Sequence, residues 1–372
     1  MSNQAIGKCR FYANIGEYFH ANKMLLSAGT LNNSLFSRPH KMSVWGDFDT
    51  FGFDQTTTVS NKTTGTIQIG SYSGGAHTGN RIAHFFRDNR FIAILNHNFY
   101  RAQAKFWLQT YYSGQGAYSS SRAMEEIVNG TISSNICSPG YDGFTICEIL
   151  DGFDENHNSI SIVLEATSGT TFAETPGAGC VILGTFWNVE APDLQISSSR
   201  VFDKPKEYKS YNGRSFTNSK WNAPAFWDFA PPWGLKDVNT NATNPYLLRG
   251  RQGKRVYNLK WSFIDEKSLF GITSSDSIYT GSTPTSMGQY GYEDTDYTST
   301  GTFERDSTLL DYESFNKFWT ISAGMTIPFI FQPDANNTAN DQFSICILKK
   351  GSLRIRRTSI KRYSLSMTIQ EI

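Results

Sequence analysis

The sequence predicts a mainly β protein, for three reasons. Aromatic residues make up 14% of the chain and charged residues only 18%, and aromatic side chains favour strands. Short apolar runs recur along the chain, separated by Ser, Thr, Gly and Asn, which favour turns. With 372 residues, the chain is longer than one compact core usually needs, so we expect two β domains.

We predict an N-terminal strand and arm over residues 1–40 and a jelly-roll β-sandwich over residues 41–190. The strand candidate of the first segment lies at 9–13, and a short helix is expected near 18–26. In the second segment the apolar run 91–95 is too short for a buried helix and predicts a core strand. Four similar runs, KFWLQTYY, FTICEIL, SISIVLEA and CVILGTFW, follow it.

Residues 191–253 predict extended, aromatic-rich arms. Trp221, Trp227 and Trp233 lie among prolines with little periodicity, whereas disordered linkers are poor in aromatic residues. We therefore expect these arms to lie on a neighbouring surface, and the three tryptophans are interface candidates.

Residues 254–372 predict a second β domain. The strand RVYNLKWSFID alternates, so its buried face is expected to hold Tyr257, Leu259, Trp261 and Phe263. Three strand segments end the chain: MTIPFIFQP, QFSICILKK and LRIRR…RYSLSMTIQEI. Alternation in the last of these predicts a half-buried strand with an apolar face formed by Tyr363, Leu365, Met367 and Ile369.

Two helices are expected within these segments. One, of one or two turns, lies at 121–128. The other follows Ser307, which is suited to cap it, and ends at Gly324. Its apolar stripe consists of Leu309, Tyr312, Phe315, Phe318 and Trp319.

The end of the chain is locally basic. In LRIRR, Leu353 and Ile355 are expected to point inward, so that Arg354 and Arg356 share the outer face. Three interpretations stay open: contact with DNA in a channel, an interface with an acidic neighbouring subunit, and a solvated face. Proteins that bind single-stranded nucleic acid interleave such charge with stacking aromatics, and only Tyr363 is close here. Arg354 and Arg356 are further interface candidates.

We find no catalytic or cofactor motif in the sequence. It lacks a GxSxG nucleophile elbow, a phosphate-binding loop and a metal-ligand spacing such as HExxH. The six histidines are expected to be structural, with His97 in a turn. The acidic strings DGFDENHN and YEDTD lack the spacing of a calcium loop and the rigid frame of a glycosidase. We therefore predict a protein that is not an enzyme and holds no cofactor or metal.

Composition also bears on location and partners. Lys and Arg number 34 and Asp and Glu 33, so no global attraction to nucleic acid or membranes is expected. No apolar segment is long enough for a signal core or a membrane helix. The five cysteines lack CxxC spacing and are expected to be buried thiols in a reducing cytoplasm, with a Cys137–Cys147 bridge as the alternative.

Two parts of the chain resemble phage tail proteins. Residues 250–372 carry GRQGKRVYNLKWSFIDEKSLF, FNKFWTISAGMTIPFIFQPD, DQFSICIL and YSLSMTIQEI in that order. This order is similar to the tail-tube-like domain of phage distal tail and minor tail proteins. FFRDNRFIAILNHNFYRA and VILGTFWNVEAPDL, residues 85–102 and 181–194, are similar to the discoidin-like jelly-roll modules of phage tail proteins.

The resemblance implies a C-terminal β-sandwich or barrel with one helix packed outside it, in a closed ring of six copies that continues the tail tube. The first functional hypothesis is a structural distal tail ring, at the tail tip or baseplate. Its partners are then itself, the tail tube protein, the tail hub and the tape-measure protein. The alternative is a carbohydrate- or receptor-binding tail protein, because jelly-roll loops often bind glycans through exposed aromatics. Either belongs to the virion and is assembled in the host bacterial cytoplasm, without membrane insertion or sequence-specific nucleic-acid binding.

Overall fold

The computed structural model describes residues 7–21, 43–44, 58–59, 62–68, 89–112, 117–118, 121–151, 157–169, 171–193, 197–201, 206–218, 254–270, 315–339 and 342–372. Antiparallel strands dominate them, which confirms the predicted mainly β class. The three helices of this part of the chain are short.

The helices are α1 (Ile15–Ala21), α2 (Glu266–Phe270) and α3 (Phe315–Ile321). The strands are β1 (Cys9–Asn14), β2 (Ser43–Val44), β3 (Thr58–Val59), β4 (Lys62–Gln68), β5 (Arg90–His97), β6 (Ala104–Tyr112), β7 (Ala117–Tyr118), β8 (Met124–Val128), β9 (Thr131–Ser133), β10 (Ile136–Ser138), β11 (Gly143–Ile149), β12 (His157–Ala166), β13 (Gly177–Ala178), β14 (Cys180–Val189), β15 (Ser197–Val201), β16 (Lys206–Lys209), β17 (Ser215–Asn218), β18 (Lys254–Asp265), β19 (Phe329–Gln332), β20 (Ser344–Leu348), β21 (Arg354–Ser359) and β22 (Arg362–Glu371). The strands predicted at 9–13, at 91–95, in the four runs that follow and at the end of the chain are confirmed.

Strand β1 lies inside the largest sheet, which has eleven strands. The order is β15-β18-β22-β20-β19-β1-β14-β5-β11-β8, with β21 beside β22. On one side β1 pairs with β14, and on the other it pairs with β19. Strands from 41–190 and from 254–372 therefore lie in one sheet, joined by a strand from the first 40 residues. The predicted domain boundaries themselves stay a prediction.

Strands β1 and β14 approach each other closely at Gly184. A Cβ atom at this position would lie 1.8 Å from the Ala13 carbonyl oxygen, so only glycine fits there. Toward β19, the Tyr12 hydroxyl donates to Gln332 Oε1 at 2.6 Å. The position of β1 therefore depends on a glycine in β14, which allows the close approach, and on a buried hydrogen bond to β19.

A second sheet, ordered β3-β4-β12-β6-β10-β9 with β7 beside β6, packs on one face of the large sheet. Phe106 and Leu108 of β6 and Ile162 of β12 belong to the same buried cluster as Ile92 and Ile94 of β5. Because alternate residues of a strand point to one face, these side chains meet between the sheets. The two sheets form a β-sandwich.

Helix α3 covers another part of the same face. The ring of Phe318 lies 5.3 Å from the ring of Phe11 in β1 and 5.3 Å from the ring of Phe329 in β19. It also stacks on Trp187 of β14, with ring centroids 6.1 Å apart. One hydrophobic layer thus extends from the sandwich to the helix.

The end of α3 agrees with the sequence prediction. Gly324 has a φ of +70°, and its amide donates to the Trp319 carbonyl at 2.7 Å, which satisfies one of the last carbonyls of the helix. The predicted start of this helix, with Ser307, Leu309 and Tyr312, lies outside the described residues. Helix α1 begins earlier than predicted, at Ile15.

The large sheet bends strongly, so that parts of its opposite face pack against each other. All eight residues of β5 are buried, so both faces of this strand are covered. On the second face the ring of Phe343, next to β20, lies 6.0 Å from that of Phe144 in β11 and 6.4 Å from that of Tyr12. Since β19, β1, β14 and β5 separate β20 from β11 in the sheet, strong curvature brings these aromatic rings together.

The helix expected at 121–128 is wrong, because Met124–Val128 is strand β8. Val128 lies opposite Ile146 and Glu126 lies opposite Cys147, so a register shift leaves Ile127 as the extra residue of a bulge, and Ile127 and Val128 are both buried, like Met124. This bulge produces apolar residues at spacings of three and four, which imitates the pattern of a helix.

Two side chains expected to be buried are exposed instead. Phe263 is 74% exposed, because a register shift between Trp261 and Ile264 gives the buried position to Ile264. Ile355 is 37% exposed, although it lies opposite the buried Leu365, because β21 is an edge strand. The segment that begins with LRIRR is a hairpin of two strands, β21 and β22.

Candidate interaction surface

The outer face of the C-terminal strands carries hydroxyl side chains flanked by cations. Ser366 of β22 lies opposite Lys260 of β18 on one side and opposite Arg354 of β21 on the other. Ser364 lies opposite Arg356. Directly opposed residues of antiparallel strands point to the same face, so Arg354 and Arg356 share the outer face, as predicted.

A groove of about 860 Å³ lies on this face, lined by four cationic side chains, Lys260, Lys349, Lys350 and Arg354. We call these four residues, together with Arg356, the basic face. None of the described residues that line the groove is aromatic.

The turn between β20 and β21 holds two of the lysines in place. Gly351 has a φ of +74°, and the Ser352 amide donates to the Lys349 carbonyl at 3.1 Å, which closes a β-turn. The Ser352 hydroxyl accepts the Thr368 amide at 3.1 Å and lies 3.0 Å from the Thr368 carbonyl. The Lys349 amide also donates to the Thr368 carbonyl at 2.9 Å, so both ends of the turn are bonded to β22, and Lys349 and Lys350 are held beside the groove.

One carboxylate, that of Asp193, lines the described part of the groove. It accepts hydrogen bonds from the Ser262 amide at 3.1 Å and from the Ser262 hydroxyl at 2.5 Å. Within the described part of the chain, no ion pair engages a cation of the basic face. The basic face is therefore able to bind an external anion.

A buried ion pair fixes β18 against β22, the two strands beneath the groove. The Glu371 carboxylate accepts the backbone amide and Nε of Arg255, each at 2.5 Å. Arg255 also donates to the Phe343 carbonyl at 2.8 Å. Burial is the largest single effect and lowers the pKa of Arg255, but Glu371, Tyr257 and Cys346 together raise it by more, so the guanidinium stays charged.

His97 is a buried structural residue. Its Nδ1 accepts the Phe99 amide at 3.3 Å, and its Nε2 lies 2.9 Å from the Thr145 hydroxyl. That hydroxyl donates to the Asn129 carbonyl, so Nε2 of His97 carries the ring proton. Burial lowers the pKa of His97 to about 3. The ring is therefore neutral and is not suited to acid–base chemistry near pH 7.

The five cysteines are buried free thiols, as predicted. The sulfur atoms of Cys137 and Cys147 lie 3.7 Å apart, whereas a disulfide bond is about 2.05 Å long. The alternative bridge is therefore absent from this structure. Burial also raises the pKa of Cys9 and Cys346, which disfavours their reactive thiolate forms.

Trp221, Trp227 and Trp233 lie outside the described residues, as does the acidic string YEDTD. The sequence did not indicate that Lys260 lies on the same face as Arg354, on the other side of β22. Their proximity depends on the pairing of β22 with both β18 and β21, which no local pattern reveals.

In the described ranges, no group of three or more His, Cys, Asp or Glu side chains is arranged to hold a metal ion. The helices of those ranges are too short or too polar to cross a membrane. Comparison with known proteins finds no matching protein family, no matching curated protein and no matching solved structure.

Proposed function

We propose that this protein is a structural component of a bacteriophage tail. It acts as a ring-forming distal tail protein that connects the tail tube to the host-recognition apparatus. The observation that supports this most is the arrangement of the segments that resemble tail-tube-like domains. β18, β22 and β19 lie in one sheet, and α3 packs against that sheet, which is similar to the packed helix that the resemblance implies.

The basic face supports an assembly role. Its lysines and arginines suit carboxylates of a neighbouring protein, and the described groove lining lacks the aromatic side chains that stack on nucleic-acid bases. The groove also lies on paired strands and a tight turn, which hold its side chains in fixed positions. We infer that the basic face meets an acidic surface of a neighbouring tail subunit.

The alternative, glycan or receptor binding, has less support in the described residues. Trp107, Trp187 and Trp261 are buried, so they are not available to stack on a sugar ring. Tyr100 and Tyr211 are exposed, but they do not line the described groove, whereas four cations of the basic face do. The assembly role is therefore the better supported of the two functions.

Incorporation into particles tests the proposal. Phage that lack this chain are complemented either with the wild-type chain or with Lys349→Glu/Lys350→Glu/Arg354→Glu. We expect about six wild-type copies per tail, as in a closed cyclic ring. The variant should be incorporated far less, because it presents like charge to an acidic neighbour.

The matched control is Lys209→Glu/Arg214→Glu, which reverses two exposed cations at the β16–β17 hairpin and should be incorporated normally. A chain absent from particles, or a groove variant incorporated as well as the wild type, would contradict the proposal. About three copies at fibre tips, together with glycan binding, would favour the recognition function.

A further inference from the structure

Among the described residues, three strands of the large sheet, β15, β21 and β8, have an open side, and two of them, β21 and β8, carry opposite charge. Strand β21 pairs with β22 on one side, and β8 pairs with β11 on one side. Within the described residues, neither strand has a partner on its other side. An open edge presents unpaired backbone N–H and C=O groups that can pair with another strand.

Strand β21 carries positive charge on both faces of its edge. Arg356 lies opposite Ser364 on the outer face, and Arg357 lies opposite Tyr363 on the other face. All six residues of β21 are exposed. The two arginines therefore straddle the open edge.

Strand β8 carries negative charge on both faces of its edge, as β21 carries positive charge. Glu125 lies opposite Glu148 and Glu126 lies opposite Cys147, so the two exposed glutamates point to opposite faces. Glu148 adds a third carboxylate beside Glu125. With five residues, β8 is close in length to β21, which has six.

We propose that the β21 edge of one copy pairs with the β8 edge of the next copy, so that the large sheets of neighbouring copies join head to tail. This inference rests on the proposed function, which supplies the expectation that copies of the chain meet. Two β21 edges repel each other, and so do two β8 edges, whereas the β21–β8 combination brings two arginines to two glutamates. A head-to-tail contact of this kind generates a ring when the rotation between copies closes.

Charge reversal of each edge tests this pairing. Arg356→Glu/Arg357→Glu makes both edges acidic, and Glu125→Lys/Glu126→Lys makes both edges basic. Sedimentation of the purified full chain should show assembly of the wild type. Each variant alone should need a concentration roughly tenfold higher or more. A one-to-one mixture of the two variants should assemble again, because alternating copies then present opposite charges.

Two controls separate edge pairing from unfolding. Lys209→Glu/Arg214→Glu should assemble like the wild type, and circular dichroism and thermal melting should show that every variant is folded. Glu126 also accepts the Gly130 amide at 2.9 Å, so Glu125→Lys alone serves as the milder change in the acidic edge. It should weaken assembly in the same direction as the double variant.

Assembly of either double variant at the wild-type concentration would overturn the proposal. A mixture that stays dissociated would also overturn it. A wild-type chain that stays monomeric, and instead binds a DNA oligonucleotide or an acidic tail protein through Arg356 and Arg357, would show that the β21 edge has another occupant. The proposed function is tested separately: a chain absent from particles contradicts that function, whereas normal rings built from the variants contradict only the edge pairing.

Discussion

Glu371, the penultimate residue, is a carboxylate whose side chain is fully buried. Removing a carboxylate from water costs several kcal/mol unless a partner compensates. Arg255 compensates with two hydrogen bonds at 2.5 Å. The pair joins the end of β22 to the start of β18, so the last residues of the chain hold together the strands that carry the basic face.

Replacing this carboxylate should destabilise the protein strongly. Glu371→Ala leaves Arg255 without its counterion, and we expect a loss of about 3–5 kcal/mol in the free energy of unfolding. Asp265→Ala breaks the exposed pair with Arg362 and should cost no more than about 1 kcal/mol. Urea denaturation of both variants measures the difference, and equal losses would contradict the structural role of the buried pair.

His97 should make stability depend on pH. Its folded-state pKa of about 3 lies below the unfolded value of about 6.5, so the unfolded chain binds a proton more readily. The stability that the neutral His97 ring contributes is fully present above pH 6.5 and is lost as the pH falls toward 3. At pH 5 the loss is about 2 kcal/mol. His97→Gln should remove this part of the slope between pH 7 and 5 in urea titrations, and an unchanged slope would contradict the neutral buried ring.

Among the elements, β1 has the most demanding position, since it joins β14 and β19. Gly184→Ala would place a Cβ atom 1.8 Å from the Ala13 carbonyl oxygen, and backbone cannot move aside as a flexible side chain can. We expect a loss of about 3 kcal/mol or more in the free energy of unfolding. Gly140→Ala, whose Cβ would lie 3.6 Å from Asn129, is the control and should be nearly neutral in thermal melting. Similar melting temperatures for the two variants would contradict the close packing of β1.

Strand β22 pairs with three other strands, β18, β20 and β21. Its residues Leu365, Met367 and Ile369 are buried and contribute roughly 5–9 kcal/mol together. A whole domain is stable by only about 5–15 kcal/mol. We therefore expect deletion of residues 363–372 to unfold the sheet that contains β22.

Two point substitutions separate the faces of β22. Leu365→Asp buries a charge and should cost more than about 4 kcal/mol. Ser366→Asp should be mild, because Lys260 and Arg354 flank it on the outer face. Circular dichroism and melting curves measure both effects. A truncated chain that melts like the full-length protein would show that β22 is not essential.

The sequence predicts elements best where alternation is uninterrupted, as in β5 and β22. It fails at β-bulges: one moves Phe263 out of the core, and another buries both Ile127 and Val128, which together with Met124 gives a false helical pattern. A bulge depends on the partner strand, so a local pattern does not reveal it.

The same limit applies to the candidate surface. Arg354 and Arg356 were predicted as outward-facing, whereas the contribution of Lys260 required the pairing of β18 with β22.

At the scale of the whole molecule, the large sheet extends from β15 to β8 through the central strand β1. One of its faces is covered by the second sheet and by α3, and the other curls over an aromatic cluster that includes Tyr12, Phe144 and Phe343. The basic face and the charged edges lie outside these cores.

Imaging of intact phage particles that contain this chain tests the central claim most directly. With the chain labelled at one terminus, electron microscopy should locate it in a closed ring at the distal end of the tail tube, with about six copies in a cyclic arrangement. A label found only on fibre tips, or absent from the tail, would contradict the assignment of this protein as a structural ring.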